Sequence, residues 1–183
     1  MDIRIRTTTD ADTAAIAALL NAAFGPDQGP EIAALVADLL HDPSARPLLS
    51  LAATREGRMV GYILFTHTQI AGAEPTVSSA ILAPMAVHPD HQGQGIGGRL
   101  IAAGLEQLKA AGVQLVFVLG HPGYYPRYGF DPAGERGLEA PHPIPGEQAA
   151  AWMVQELQPS VIGNVSGRVV CADTLNDPKH WQE

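Results

Sequence analysis

Cysteine is nearly missing from this 183-residue chain: Cys171 is the only one, so no internal disulfide can form and stability must come from buried apolar surface. Basic residues are also few. The 11 Lys and Arg stand against 19 Asp and Glu, a formal charge of -8, which excludes the clustered cationic footprint of a nucleic-acid binder and suits a cationic acceptor. No uninterrupted apolar run approaches the ~18 residues that span a bilayer. Residues Met1 to Arg6 lack the apolar core of a signal peptide, so the expectation is a soluble, cytoplasmic protein with no membrane partner. Length and composition suit one domain over residues 1–183, with a core of about 2–134 and a C-terminal helix and strand of about 147–173 completing it.

The element order narrows the fold class. Ile3 and Ile5 alternate with Arg4 and Arg6, a half-exposed strand, and Thr9 or Asp10 can cap a helix that runs to about Phe24. Gly25 to Pro30 is rich in turn-formers and reads as a loop; a second helix follows it to Leu40. Leu48–Thr54 and Met59–Gln69 read as a hairpin, Ala71 to Thr76 as a looser turn, and Val77–Val87 as a central strand. A periodic helix carries Ile96, Leu100, Ile101, Leu105 and Leu108, and Val113–Leu119 is an all-apolar strand. Pro132 to Gly146 is a long connection, Ala149–Leu157 is expected to be a helix, and Gly167–Ala172 a closing strand. That order is α+β, without the regular alternation of a doubly wound sheet.

The densest signal is Gly93-Gln94-Gly95-Ile96-Gly97-Gly98, which opens the periodic helix. A helix start presents unpaired N–H groups and a favourable dipole, and residues without Cβ let a phosphate approach them. The spacing also fits a dinucleotide fingerprint, but five residues, His88 to Gln92, separate it from the strand, and the next strand ends in Gly120-His121, not in an acid. A nicotinamide dehydrogenase therefore stays only as a rival. No Lys-Ser or Lys-Thr follows, which excludes a Walker A loop.

Gln92-x-x-Gly95-x-Gly97 resembles the acyl-CoA pyrophosphate loop of the GNAT acetyltransferase superfamily. Leu82-x-Pro84-Met85-Ala86-Val87-x-Pro89 and Val118-Leu119-Gly120-x-Pro122-x-Tyr124-Tyr125-x-Arg127-Tyr128-Gly129-Phe130 are similar to its YhbS-like branch, as is the tail from Ile144-Pro145 to Glu156-Leu157. The resemblance implies a mixed, mostly antiparallel sheet with a splayed strand pair, flanked by helices. It implies acetyl-CoA as acyl donor, with no metal, and the amine of a small molecule, a protein lysine or an N-terminus as acceptor. Met85, Ala86 and Val87 would meet the pantetheine, and Gln92, Gly93, Gln94, Gly95, Ile96, Gly97 and Gly98 the pyrophosphate. Arg99 is a candidate for the 3'-phosphate.

Pro84 lies in the central strand, where its missing N–H requires an interrupted ladder. Tyr125, five residues before Phe130, matches the family's general acid, while Tyr124 and Tyr128 read as amphipathic core residues. Val118 occupies the position of an asparagine common in relatives, so the Gly120-His121-Pro122 turn is expected to supply backbone groups instead. No base stands out among His88, His121 and Glu31, and His88-x-x-His91 with Asp90 is a poor metal site in a turn. Cys171, in an apolar strand, reads as packing, leaving no nucleophile for a covalent route. The alternative to an enzyme is a non-catalytic acyl-CoA sensor or interaction module of the same fold.

Overall fold

The computed structural model of the chain describes residues 2–73 and 76–181. Its sheet runs β1-β2-β3-β4-β5-β8-β6, with β1 Arg4–Thr7, β2 Leu49–Arg55, β3 Arg58–Ile70, β4 Ser79–Val87, β5 Leu115–Leu119, β6 Asp131–Pro132 and β8 Trp152–Glu156. Strands β1 to β4 are antiparallel neighbours, β4 and β5 are parallel, and β8 returns antiparallel to β5. A last strand, β9 Gly167–Cys171, lies beside the far end of β3 and also pairs with the short β7 Leu138–Glu139. This is the α+β sheet expected, mixed and mostly antiparallel.

Strand periodicity divides the core between the two faces. Along β3, Tyr62 and Leu64 pack with the first helix on one face, and Ile63 and Phe65 with the second helix on the other. That second helix, α2 Ile96–Ala110, buries Ile96, Leu100, Ile101 and Leu108. β5 is buried on both faces as its unbroken apolar run requires, at about 1.5–3 kcal/mol for each large side chain. Two left-handed residues, Glu56 (φ 53) and Gly57 (φ 78), close the β2–β3 hairpin with a twist that matches its strands.

Two expectations are corrected. The segment Gly25 to Pro30 is not a loop: α1 Thr13–Leu40 is broken only at Gly25 (φ 85, ψ 176). Pro26 starts the second arm, where its fixed φ is helical and its absent N–H is one of those a helix start leaves unpaired. The arms meet so closely that a Cβ on Gly29 would lie 2.7 Å from the Asn21 backbone.

The expected helix at Ala149–Leu157 is instead a 3-10 turn, Gly146–Ala151, followed by strand β8. Pairing with β5 in register from Leu115↔Glu156 to Leu119↔Trp152 buries Trp152, Met153 and Val154, which outweighs the helical preference of the alanines. The connection from Pro132 to Gly146 holds β7 and a 3-10 turn, Gly134–Arg136. Of the turn Ala71 to Thr76, Glu74 and Pro75 lie outside the described residues. The tail is tied to the end of α1 by Asp42, which accepts bonds from Thr174 N and Oγ1 at 3.0 and 2.7 Å. Among the described residues no helix is long and apolar enough to cross a membrane.

Candidate active site

β4 and β5 pair only from Ser79↔Leu115 to Leu82↔Val118, after which the two strands part. Pro84 sits at the parting, opposite a register shift between Ile63 and Phe65 of β3, so its missing N–H leaves no gap in a regular ladder. Beyond the bulge, His88 N–H donates to Val60 O at 2.8 Å, and the pairs run Gly61↔Val87, Tyr62↔Ala86 and Ile63↔Met85. Bonded and non-bonded pairs alternate in an antiparallel ladder. Ala86 therefore bonds Tyr62, while Met85 and Val87 turn their peptide groups away from β3 into the opening. Val87 O is already held there by Gln92 Nε2 at 3.2 Å, which fixes the start of the glycine loop to the end of the strand.

The loop continues the opening toward α2. Gly93 (φ 76) and Gly95 (φ 79) are both left-handed, a conformation in which other residues are strained. Gly95 is the N-cap of α2, and the first intrahelical bond is Arg99 N–H to Gly95 O at 3.1 Å. The N–H groups from Gly95 to Gly98 thus have no partner within the helix, and the dipole there favours an anion.

Opposite lies a wall of aromatic rings. A 3-10 turn, Tyr125–Tyr128, ends at left-handed Gly129 and stacks Tyr125 edge-on against Phe130, with centroids 5.8 Å apart. Together these elements enclose a cavity of about 660 Å³, lined by Met85, Val87, Gln92, Gly95, His121 and Tyr125 among others. Gly93, Ile96, Gly97 and Gly98 line it as well. Ala86 and Gln94 do not belong to that lining: Ala86 packs on the α1 face of the sheet, and Gln94 is turned to Arg55.

Tyr124 and Tyr128 pack half-buried against the α2-side core, as amphipathic core residues should, and they also line the cavity. A Cβ on Gly97 would lie 2.5 Å from the Tyr124 hydroxyl, and one on Gly98 2.8 Å from that of Tyr128. Two of the four glycines thus admit tyrosine hydroxyls to the first turn of α2, while Gly93 and Gly95 serve the loop's backbone. No spacing rule reports such a contact between distant segments.

Burial alone pushes the Tyr125 hydroxyl up to about 12, so it stays protonated across the ordinary pH range. Tyr124 is also raised, by burial first and then by its hydrogen bond to Tyr128. The Arg127 guanidinium stands 5.6 Å from the Tyr124 ring centre and puts a cation on the rim.

The remaining candidates are dispersed. Val118 is buried in the ladder, and Gly120 N–H is spent on Ala151 O at 2.9 Å, so the Gly120-His121-Pro122 turn cannot offer that group. His121 lines the cavity, with Nδ1 accepting from Gly123 N–H at 3.0 Å. His88 Nδ1 accepts from Asp90 N–H at 3.1 Å, and Glu31 lines a different cleft, between α1 and the tail. Arg99 does not reach the cavity: its Nη2 donates to Ile3 O at 3.1 Å. Cys171 is buried on β9, where burial raises its thiol to about 11.

An acetyltransferase (GNAT) domain model matches residues 4–133. The uncharacterized N-acetyltransferase YjhQ of Escherichia coli strain K12 is 54% identical over 142 residues, covering 76% of this chain and 77% of YjhQ. The uncharacterized N-acetyltransferase YhbS of the same strain is 33% identical over 173 residues, 94% of this chain and 98% of YhbS. The crystal structure of Escherichia coli YhbS in complex with CoA superposes with a TM-score of 0.84 at 31% identity, over 96% of this chain and 92% of that one. A GNAT family acetyltransferase from Brucella melitensis in complex with acetyl-CoA gives 0.75 at 30% identity, over 95% and 98%.

Proposed function

The chain belongs to the GNAT acetyltransferase family, and from that premise we propose that it transfers an acetyl group from acetyl-CoA directly to an amine within a ternary complex. The observation that carries this reading is the continuous polar seam from the Met85 and Val87 peptide groups to the N–H groups of Gly95 to Gly98. A donor with amides at one end and phosphates at the other matches that seam along its length. Pantetheine takes the place β5 leaves beside β4, and the pyrophosphate takes the helix start.

The amine nitrogen attacks the thioester carbonyl, and a β4 N–H turned into the opening stabilises the oxyanion. As the C–S bond breaks, Tyr125 gives its proton to the departing sulfur and recovers one, through water, from the amine that has become an amide. An ordinary tyrosine near ~10 and a thiol near ~8.5 are mismatched as donor and leaving group. Burial raises the proton affinity of a thiolate as it raises that of the phenol, so the gap between the two does not widen with the full rise at Tyr125. Among the described residues the lining holds no Cys, Ser, Thr or Lys to form an acyl-enzyme, which favours direct transfer.

Calorimetry with acetyl-CoA, followed by release of free CoA thiol with a panel of small amines and lysine peptides, tests the proposal. Wild type binds and releases CoA with at least one acceptor; Tyr125→Phe binds equally but turns over about 10²–10⁴-fold more slowly. Binding without release by any acceptor would favour the non-catalytic sensor, and absence of binding would remove the donor-site assignment altogether.

A further inference from the structure

With the Arg99 side chain bonded to Ile3 O just ahead of β1, a cation bonded to the glycine loop comes from the hairpin. Arg55 is the last residue of β2, just past a register shift between Ala53 and Thr54 and just before the two-residue turn. Its Nη1 donates to His91 Nδ1 at 3.0 Å and to Gln94 Oε1 at 2.9 Å. Arginine has no acceptor, so His91 Nδ1 is the acceptor and the imidazole proton resides on Nε2. One guanidinium therefore grips the loop on both sides of Gln92-Gly93.

The grip is held at a cost. Arg55 Nε is buried with no partner among the described residues, a burden that a solvated surface arginine would shed by swinging outward. The loop has little else to fix it. Gln92 to Gln94 are exposed, Gly93 and Gly95 carry no side chain, and on the strand side the Gln92 bond to Val87 O secures it.

We infer that Arg55 is a positioning residue for the acyl donor: acting through His91 and Gln94, it holds the glycine loop in its phosphate-receiving shape and sets a positive charge behind it. The inference rests on the acyl-CoA reading above and adds a residue to it that no loop motif contains. The role is confined to the phosphate end of the donor, because both side-chain hydrogen bonds of Arg55 go to residues of the loop, His91 and Gln94.

The test is the affinity of the full chain for acetyl-CoA and, by competition, for acetyl-pantetheine, which has the thioester arm and no pyrophosphate. Arg55→Ala should weaken acetyl-CoA roughly tenfold and leave acetyl-pantetheine unchanged. Arg55→Lys, able to reach one partner at a time, should fall between. Arg55→Ala with Gln94→Ala should bind no worse than Arg55→Ala alone, because both remove the same link.

Equal loss for both ligands, or additive losses in the double variant, would overturn the inference. So would wild-type affinity in Arg55→Ala. If Arg55→Ala does not fold, Arg55→Lys and Gln94→Ala carry the same comparison. Wild type failing to bind acetyl-CoA would defeat the underlying reading, whereas wild type binding with an indifferent Arg55 defeats this inference alone.

Discussion

Replacing Gly95 separates backbone conformation from bulk in the glycine loop. Gly95 has φ 79 and ψ 10, and a Cβ built on it would meet nothing within 4 Å. Alanine there fits sterically in the free protein but must adopt a left-handed backbone, at about 1–2 kcal/mol. The residues before it are exposed, so the free variant relaxes its φ, and the cost returns only when the ligand requires the original loop. At 1.4 kcal/mol per decade, the dissociation constant for acetyl-CoA should rise about 5- to 30-fold with a small change in melting temperature. Gly95→Asn discriminates the cause, since asparagine is larger but tolerates the left-handed region. If conformation governs, Asn loses less affinity than Ala; calorimetry finding Asn the weaker binder would refute the argument and make ligand clearance the reason for glycine. Gly97→Ala is the contrast, because its Cβ would meet the mobile ends of Tyr124 and Met85 at 2.5 and 3.2 Å and would displace a cavity wall without straining the loop.

Two further predictions concern stability. Burial raises both Tyr62 and Tyr125 to about 12, so between pH ~10 and ~12 the unfolded chain releases protons that the folded chain retains. Stability should be unaffected by these groups below pH ~10 and then fall by about 1.4 kcal/mol per unit for each tyrosine; denaturant titrations should show a shallower fall in Tyr62→Phe, and an unchanged slope would contradict the assignment. At Gly104 a Cβ would collide with the Phe65 ring, so the gain of about 1 kcal/mol in helix propensity should be outweighed by about 1–3 kcal/mol of overpacking. Gly104→Ala should lower the melting temperature and Phe65→Leu in the same chain should restore part of it, whereas a higher temperature in the single variant would show that α2 shifts freely.

What the sequence disclosed and what it withheld divide by the range of the interaction concerned. The hairpin, the apolar β5, the stripe of α2 and the left-handed glycines are fixed by neighbours within a turn or a pleat, so periodicity and residue type report them. Pro26 misleads because among the turn-formers of Gly25 to Pro30 it counts toward a loop, whereas at the first helical position proline begins a helix. Ala149 to Leu157 misled because an alanine run favours helix locally, while its partner β5 lies far upstream. No local rule weighs that pairing.

The same distinction governs the site. The resemblance points to Tyr125, and the cavity includes it; Tyr124 and Tyr128 pack on the core as read from sequence, but their place in the cavity wall is not legible because the room for their hydroxyls is made by Gly97 and Gly98 on another element. Arg55 was not legible at all, as its bonds cross 36 and 39 residues of sequence. A motif records the groups whose backbone a ligand must touch. The residues that hold that backbone in place leave no mark beside it, and they become visible only when folding brings the hairpin under the loop. The glycines therefore have two separate causes: Gly93 and Gly95 give the loop its shape, and Gly97 and Gly98 give the tyrosines room. Only the first pair bears on the proposed phosphate site, which is why four glycines in six residues exceed what a cradle alone requires.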